Sequence, residues 1–334
     1  MSPSRALWLV GPHQFELRPT PVVVEPGQVR VHTLFSGISR GTERLVWRGG
    51  VPERLADTMR APFQEGVFPW PVKYGYSSVG VLDNGRHVFC LFPHQSAYAV
   101  PVSAVQVLPD GLPPARAVLA ANMETALNAV WDAQPGPGDR VAVVGAGVVG
   151  CLVAWLIGQI PGTEVCLVDV VPERETVARQ LGVAFSAPEG LADSRGTYDL
   201  VVHASGSEAG LATALEAAGV EAVVLELSWY GDRPVSVPLG LRFHPDRLTL
   251  RSSQVGRIPT HRSPRWDYSR RLSIALKLLR DPVVDVLIDS ESAFNTLPST
   301  LPALASGPPF LCHRVRYDPA YRDSPPPGGP PCSV

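Results

Sequence analysis

The stretch Val141-Ala-Val-Val-Gly-Ala-Gly-Val-Val-Gly150 decides the fold of this chain. An apolar run that predicts a buried strand meets three glycines, and an apolar helical segment follows. In a dinucleotide-binding turn, the first glycine allows the tight turn, the second lets the backbone approach a pyrophosphate, and the third lets the helix pack closely on the sheet. The diphosphate is expected on unpaired N–H groups at the helix N-terminus. The predicted cofactor-binding residues here are Gly145, Gly147, Val148, Val149 and Gly150.

A second strand-like run ends in a carboxylate where such a site requires one. Val165-Cys-Leu-Val168 is followed by Asp169, nineteen residues beyond Gly150. A carboxylate there accepts hydrogen bonds from the adenosine ribose. Its negative charge also repels a 2′-phosphate, and no arginine stands next to it in the sequence to offset that repulsion. The prediction is NAD(H), with NADP(H) less favoured. The competing interpretation is a strand–turn–helix that binds no ligand.

The composition limits the class of protein. A length of 334 residues suits two compact units, and 45% hydrophobic residues are enough for packed cores. With 29 basic against 31 acidic residues, the chain has no electrostatic footprint for nucleic acid or an anionic membrane. The five cysteines are scattered without C-x-x-C spacing, which argues against disulfides and cysteine-rich zinc sites. We expect a cytoplasmic protein that binds a small molecule and neither nucleic acid nor a membrane.

Strand and helix patterns divide the chain into two kinds of segment. Short strand-like runs, among them residues 22–24, fill the first hundred residues and predict a mostly β unit. Strands then alternate with helices, which predicts an α/β unit with a doubly wound parallel sheet of the Rossmann type. The predicted limits are residues 114–256 for the Rossmann unit, residues 1–113 and 257–322 for the β unit, and residues 323–334 for a disordered Pro/Gly-rich tail.

Several motifs, in the right order, resemble the medium-chain dehydrogenase/reductase superfamily over nearly the whole chain. They are Ser36-Gly-Ile-Ser-Arg-Gly-Thr-Glu43, similar to the family's early loop; Tyr74-Gly-Tyr-Ser-Ser-Val-Gly80, similar to its Gly-His-Glu segment; Glu124-Thr-Ala-Leu-Asn128, similar to the helix beside the nicotinamide; and Ser252-Ser-Gln-Val-Gly256 after a late strand. The first motif also resembles the bacteriochlorophyllide dehydrogenase branch. The resemblance implies a Rossmann unit joined to a mostly β, GroES-like substrate unit built from both termini.

The chain departs from the zinc alcohol dehydrogenases at the metal-ligand positions. The early loop has Ser39 where those enzymes supply a cysteine, and Tyr76 and Ser77 replace the histidine and glutamate of the Gly-His-Glu segment. The region of Ala121 and Asn122 has no cysteine either. Zinc requires ligands such as thiolate, imidazole or carboxylate, which neutral side chains replace poorly. These departures therefore predict a zinc-independent member of the family, without a metal site.

Without a metal, hydrogen-bond donors have to stabilise the charge that develops on a substrate oxygen. By the resemblance, Tyr76 and Ser39 face the nicotinamide, and Tyr76 is the first candidate for proton donor, unless it only fills the space of the zinc. Arg40 either binds an anionic substrate group or pairs with Glu43 to brace the loop.

Two more catalytic candidates have structural alternatives. Glu124 either acts as a general base in the cleft or braces the neighbouring backbone. His94 stands where family members place a polar residue near the substrate, but a lone histidine is more often structural. The resemblance also puts further cofactor contacts on the nicotinamide side, at Thr125, Ser205, Gly206 and Ser253.

The leading hypothesis is a zinc-independent NAD(H)-dependent oxidoreductase. It would transfer a hydride to or from an alcohol, a carbonyl or an activated alkene of a small to medium organic molecule. Two alternatives stay open: an enzyme that retains NAD for a net isomerisation, elimination or cyclisation, and a non-catalytic NAD(H) sensor. The family often dimerises through the edge of the Rossmann sheet, so residues 223–228 and 233–239 are expected at a homodimer interface.

Overall fold

A computed structural model describes residues 4–318, without the side chains of Ala192 and Asp193. The tail predicted to be disordered, residues 323–334, lies outside the described residues. The strands are β1 (Arg5–Gly11), β2 (Gln14–Pro19), β3 (Gln28–Ser39), β4 (Glu65–Gly66), β5 (Val72–Lys73), β6 (Ser78–Leu82), β7 (His87–Cys90), β8 (Ala97–Pro101), β9 (Val105–Val107), β10 (Arg140–Val144), β11 (Glu164–Val168), β12 (Ala184–Ser186), β13 (Tyr198–His203), β14 (Ala218–Glu226), β15 (Thr249–Ser252), β16 (Ile288–Ala293) and β17 (Cys312–Arg316). The α-helices are α1 (Arg40–Trp47), α2 (Ala120–Ala133), α3 (Val148–Gly158), α4 (Arg174–Gln180), α5 (Glu208–Ala217), α6 (Tyr268–Leu278) and α7 (Leu297–Ser306).

Six parallel strands form one sheet, in the order β12-β11-β10-β13-β14-β15. Side chains of β10 alternate between two buried clusters, with Val141 and Val143 on the side of α3 and Ala142 and Val144 on the side of α5. Burial on both faces explains why this strand is a continuous apolar run. The strand order reverses between β10 and β13, which is where such sheets bind ligands. The predicted doubly wound parallel sheet is confirmed.

Strands from both ends of the chain share a second sheet. Its order is β16-β17-β3-β6-β7-β9, and β8 also pairs with β3. β17 lies antiparallel to β3, with Cys312 opposite Ser39. The remaining strands form a small antiparallel sheet, β2-β1-β5-β4. The predicted mostly β unit built from both termini is therefore confirmed, and the exact limits of the two units stay a prediction.

The helix α2 joins the two units. It packs against α3 and α6, and the largest buried cluster extends from Val79 and Phe89 of the β unit through α2 to the Rossmann sheet. This packing brings the end of β3 close to the start of α2 and to the carboxyl ends of the parallel strands. No helix within residues 4–318 is long and apolar enough to cross a membrane.

Some local predictions are wrong. Residues 22–24 form no strand, and Val23 is 73% exposed, because prolines flank this segment and leave it at the surface. The motif taken as an early loop is the end of β3 followed directly by α1. Residues 223–228 do not lie at the sheet edge: β14 has β13 on one side and β15 on the other, so β15 is the edge strand. The homodimer itself stays a prediction.

Candidate functional site

The glycine turn has the geometry that its motif predicts. Gly145 has a φ of +113°, and a Cβ there would lie 2.5 Å from backbone that follows β13. A Cβ at Gly150 would lie 1.9 Å from the carbonyl oxygen of Gly145, so only glycine lets α3 begin this close to the strand. A Cβ at Gly147 would meet nothing within 4 Å. This open space, beside the first-turn N–H groups of Val148 and Val149, fits a diphosphate.

Asp169 follows β11 and braces the glycine turn. Its Oδ2 accepts a hydrogen bond from the N–H of Ala146 at 2.6 Å, and its Oδ1 accepts one from the N–H of Val171 at 2.9 Å. A carboxylate has about four acceptor positions, so Asp169 can brace the turn and still accept from a ribose hydroxyl. The motif indicated the ribose contact but not the bracing role.

Arg40 is the first residue of α1. Burial and two neighbouring arginines, one of them Arg174, lower the pKa of Arg40, whereas Asp169 raises it. Arg40 is therefore within electrostatic range of Asp169. The predicted brace between Arg40 and Glu43 does not form, because Glu43 pairs with His94 instead. Sequence reasoning missed the approach of Arg174 to Arg40, since these residues are far apart along the chain.

Uncharged side chains meet at the end of β3. Burial raises the pKa of Tyr76 to about 12, the carboxylate of Glu43 adds to this rise, and the hydroxyls of Ser39 and Thr42 offset part of it. Asn122 donates a hydrogen bond from Nδ2 to Oγ of Ser39 at 3.3 Å. The phenol of Tyr76 thus keeps its proton at neutral pH. Ser39, Tyr76 and Asn122 are here called the donor cluster.

The donor cluster does not fit a catalytic zinc ion. Its atoms are two hydroxyl oxygens and an amide, whereas zinc sites use thiolate, imidazole or carboxylate. Among residues 4–318, no group of three His, Cys, Asp or Glu side chains is placed to hold a metal ion. Zinc independence follows from the chemistry of the donor set and stays a prediction.

Behind the donor cluster, a buried series of hydrogen bonds supports it. Glu43 accepts from the N–H of Ser39 at 2.9 Å, and its other oxygen lies 3.0 Å from Nε2 of His94. Nδ1 of His94 lies 2.8 Å from Oγ of Ser36, which lies 3.0 Å from the hydroxyl of Tyr317. Glu43 and His94 are both buried. The geometry favours the structural alternative for His94, which orients Glu43 and through it the backbone at Ser39.

Glu124 is bound in a buried ion pair. Nε of Arg271 donates to its Oε1 at 3.0 Å, and the same guanidinium donates to Oδ1 of Asn128 and to the carbonyl of Val255. Both charged side chains are buried. The geometry therefore favours the bracing alternative for Glu124 over the general base.

Two of the predicted nicotinamide contacts have their side chains engaged by the protein. Oγ1 of Thr125 donates to the carbonyl of Ala121 at 2.9 Å, one turn earlier in α2. Oγ of Ser253 donates to Oδ2 of Asp132 at 2.6 Å, which ties the end of β15 to α2. Both residues lie along the α2 side of the crevice, as the resemblance implies, and their contact with a cofactor stays a prediction.

The other two predicted contacts follow β13. The N–H of Gly206 donates to Oγ of Ser228 at 3.0 Å, and Ser205 is exposed with its Oγ 2.6 Å from Nε2 of His203. Nδ1 of His203 lies 2.7 Å from Glu226. Sequence reasoning missed Glu226, since it stands on a neighbouring strand, although the histidine of His203-Ala-Ser-Gly was visible.

Comparison with known sequences gives a partial match. No family model matches the chain. (R,R)-butanediol dehydrogenase of Bacillus subtilis (strain 168) is 28% identical over 155 residues, which cover 44% of this chain and 43% of that protein. The match thus spans less than half the length of the curated relative.

Comparison with solved structures covers nearly the whole chain. 2R,3R-butanediol dehydrogenase from Bacillus subtilis has a TM-score of 0.74 at 17% identity, covering 94% of this chain and 99% of that chain. L-idonate 5-dehydrogenase from Escherichia coli K-12 MG1655 has a TM-score of 0.77 at 14% identity, with coverages of 94% and 98%. A short chain alcohol dehydrogenase from Escherichia coli CFT073, complexed with the cofactor NADH, has a TM-score of 0.74 at 17% identity, with coverages of 95% and 100%. This chain therefore has the fold of these dehydrogenases, and the fold implied by the resemblance to the medium-chain dehydrogenase/reductase superfamily is confirmed.

Proposed function

We propose that this protein is an NAD(H)-dependent oxidoreductase that works without zinc. It transfers a hydride to or from an alcohol, a carbonyl or an activated alkene of a small to medium organic molecule. The observation that carries the proposal is the donor cluster of Ser39, Tyr76 and Asn122, which is linked to the glycine turn through Arg40, the residue after Ser39, in electrostatic range of Asp169. The names of the similar proteins, butanediol dehydrogenase and L-idonate 5-dehydrogenase, support a hydroxyl compound or its carbonyl as the substrate.

The crevice residues fit a dinucleotide. In this proposal Asp169 accepts from the adenosine ribose, the open space at Gly147 takes the pyrophosphate, and the guanidinium of Arg40 donates to a phosphate oxygen. When bound, NAD supplies the hydride acceptor and NADH the hydride donor. The charge of Asp169 favours NAD(H), while the positive charge of the neighbouring Arg40 weakens the repulsion of a 2′-phosphate. We therefore expect a preference for NAD(H) rather than exclusion of NADP(H).

Tyr76 is the proposed proton donor. During reduction of a carbonyl, negative charge develops on the substrate oxygen, and a donor aimed at that atom lowers the barrier. Because the pKa of Tyr76 is raised to about 12, its Oη carries a proton at neutral pH and can pass it to the more basic alkoxide. Ser39 offers a second hydroxyl, and Glu43 fixes the backbone that carries it. Oxidation of an alcohol reverses these proton movements and so requires Tyr76 to lose its proton first, which its raised pKa disfavours at neutral pH.

NADH oxidation with a panel of aldehydes, ketones and enones tests the proposal, with NADPH run in parallel. We expect NADH consumption equal to the product formed, and a slower reaction with NADPH. Product without a net change in NADH would favour the non-redox alternative. Tight NADH binding without turnover on any member of the panel would favour the sensor.

A further inference from the structure

Glu226, His203 and Ser205 form a hydrogen-bonded series at the carboxyl ends of β13 and β14. Oε2 of Glu226 lies 2.7 Å from Nδ1 of His203, and Nε2 of His203 lies 2.6 Å from Oγ of Ser205. His203 is fully buried, whereas Ser205 is exposed just beyond the carboxyl end of β13. A hydroxyl within reach of an imidazole that a carboxylate orients is the arrangement by which serine nucleophiles are activated.

The surroundings of Glu226 set the direction of these hydrogen bonds. Its Oε1 accepts from the N–H of Ser228 at 2.6 Å, and the hydroxyl of Tyr230 donates to its Oε2 at 3.1 Å. Burial opposes ionisation of Glu226, but the hydrogen bonds from His203 and Ser228 outweigh it and lower the pKa of the carboxyl. An ionised Glu226 accepts a hydrogen bond from Nδ1–H of His203, which leaves Nε2 unprotonated and able to accept the hydroxyl proton of Ser205.

Ser207 and Gly210 complete the series on its exposed side. The N–H of Gly210 donates to Oγ of Ser207 at 3.0 Å, so the Ser207 hydroxyl is free to donate to Oγ of Ser205, 2.9 Å away. A Cβ at Gly210 would lie 2.1 Å from Oγ of Ser205 and 2.9 Å from Nε2 of His203. Glycine at this position therefore leaves the space that the serine and the imidazole occupy. The adjoining N-terminus of α5 favours negative charge on a nearby oxygen.

We propose that Ser205 is the nucleophile of a second, hydrolytic activity that transfers the acyl group of an activated carboxylic ester to water. Oγ of Ser205 bonds to the ester carbonyl carbon as its proton moves to Nε2 of His203. The bond to the leaving oxygen then breaks, and that oxygen takes the proton from His203. Water next attacks the acyl-serine and gives a proton to His203, which returns it to Oγ as the acyl bond breaks. The products are an alcohol and a carboxylic acid, with no redox change.

This activity goes beyond the proposed oxidoreductase and does not require it. Ser205 stands in the same crevice as the predicted nicotinamide site, so a dinucleotide and an ester would compete for the space. The hydrolytic activity therefore belongs to the protein without bound cofactor. Glu226 is a positioning residue in it, since it acts through His203.

The test uses the cofactor-free protein with a fluorophosphonate probe, followed by peptide mapping, and with p-nitrophenyl acetate as the ester. We expect the label on Ser205 and none on the Ser205→Ala variant. His203→Gln should slow labelling by about 100-fold, the scale of a lost general base. The matched control is Ser299→Ala, an exposed serine whose hydroxyl donates only to the backbone of Thr296, and it should label at the wild-type rate.

Absence of label on Ser205 in the folded wild-type protein would overturn the inference, and so would a labelling rate that His203→Gln leaves unchanged. In either case Glu226 and Ser205 would have a structural role only, as hydrogen-bond partners for the ring nitrogens of the buried His203. NADH binding, followed by fluorescence titration, separates this result from the oxidoreductase proposal. Labelling without NADH binding contradicts the oxidoreductase alone, and NADH binding without labelling contradicts the hydrolase alone.

Discussion

Nε of Arg271 lies 3.0 Å from Oε1 of Glu124, and this pair joins α2 to α6 inside the protein. Burial raises the pKa of Glu124, and Arg271 opposes that rise. Glu124, a general-base candidate from the sequence, is thus ion-paired with the guanidinium of Arg271 across the interface of the two helices. Removing one partner of such a pair leaves a buried charge without compensation.

Glu124→Ala should destabilise the protein by about 3–5 kcal/mol, because the charge of Arg271 would then be buried alone. Urea unfolding measures the loss, and Glu175→Ala, which removes an exposed carboxylate from α4, is the control. The turnover number of the folded Glu124 variant should stay near that of the wild type. A large fall in turnover with unchanged stability would instead support the general base.

Asp169→Ala should affect both the cofactor and the glycine turn. It removes the charge that we propose for binding the ribose, together with the two acceptors used by Ala146 and Val171. We expect weaker NADH binding, a relaxed preference against NADPH and a lower melting temperature. Asp169→Asn keeps one acceptor oxygen without the charge, so it should lose the preference while retaining more stability. An unchanged ratio of the NADH and NADPH affinities would contradict the role of Asp169.

The geometry of the glycine turn could be predicted from the sequence because its signals are local. Gly145 and Gly150 are required by backbone geometry within one turn, and Asp169 stands at the end of the next strand. The support behind the donor cluster is different, because Glu43 and His94 are 51 residues apart. Their pairing depends on Gly75, where a Cβ would lie 2.9 Å from the imidazole of His94. No pattern along the chain encodes such a contact.

The edge strand of the parallel sheet could not be predicted from the sequence either. The strands of the Rossmann unit could be counted from their apolar runs, but the position of each strand depends on topology. β14 is an inner strand because β15 pairs along it, with Val223 opposite Thr249. A dimer through this edge would thus use the backbone of β15 rather than that of residues 223–228.

Tyr76→Phe should lower the turnover number by about 100-fold or more while leaving NADH binding unchanged, because it removes only the proton donor. Since the pKa of Tyr76 is raised to about 12, the phenol stays protonated from neutral pH to pH 10. The rate of the wild type should show no Tyr76-dependent decline over that range. A basic limb below pH 9 that disappears in the variant would contradict a protonated phenol. Tyr268→Phe, at an exposed tyrosine, is the control.

The purified protein should contain less than stoichiometric zinc by elemental analysis, and chelators should not reduce its activity. The donor cluster lacks the thiolate and imidazole ligands that zinc prefers. A triple variant, Ser39→Cys with Tyr76→His and Asn122→Cys, should gain stoichiometric zinc, because the hydrogen bond between Ser39 and Asn122 shows that these positions meet. Tight zinc in the wild-type protein would overturn the zinc-independent proposal.

His313 should make the protein less stable as the pH falls from 6.5 to 4. Its ring nitrogens lie 2.8 Å from the hydroxyls of Ser290 and Ser292, and burial lowers its pKa to about 4, with a further contribution from His94 that Glu291 partly offsets. The unfolded chain, with a histidine pKa of about 6.5, binds more protons than the folded protein in this window, so the free energy of unfolding decreases as the pH falls. Melting temperatures measured between pH 4 and 7 should therefore fall less steeply in His313→Gln than in the wild type. Equal slopes for the two proteins would show that His313 does not cause the acid sensitivity.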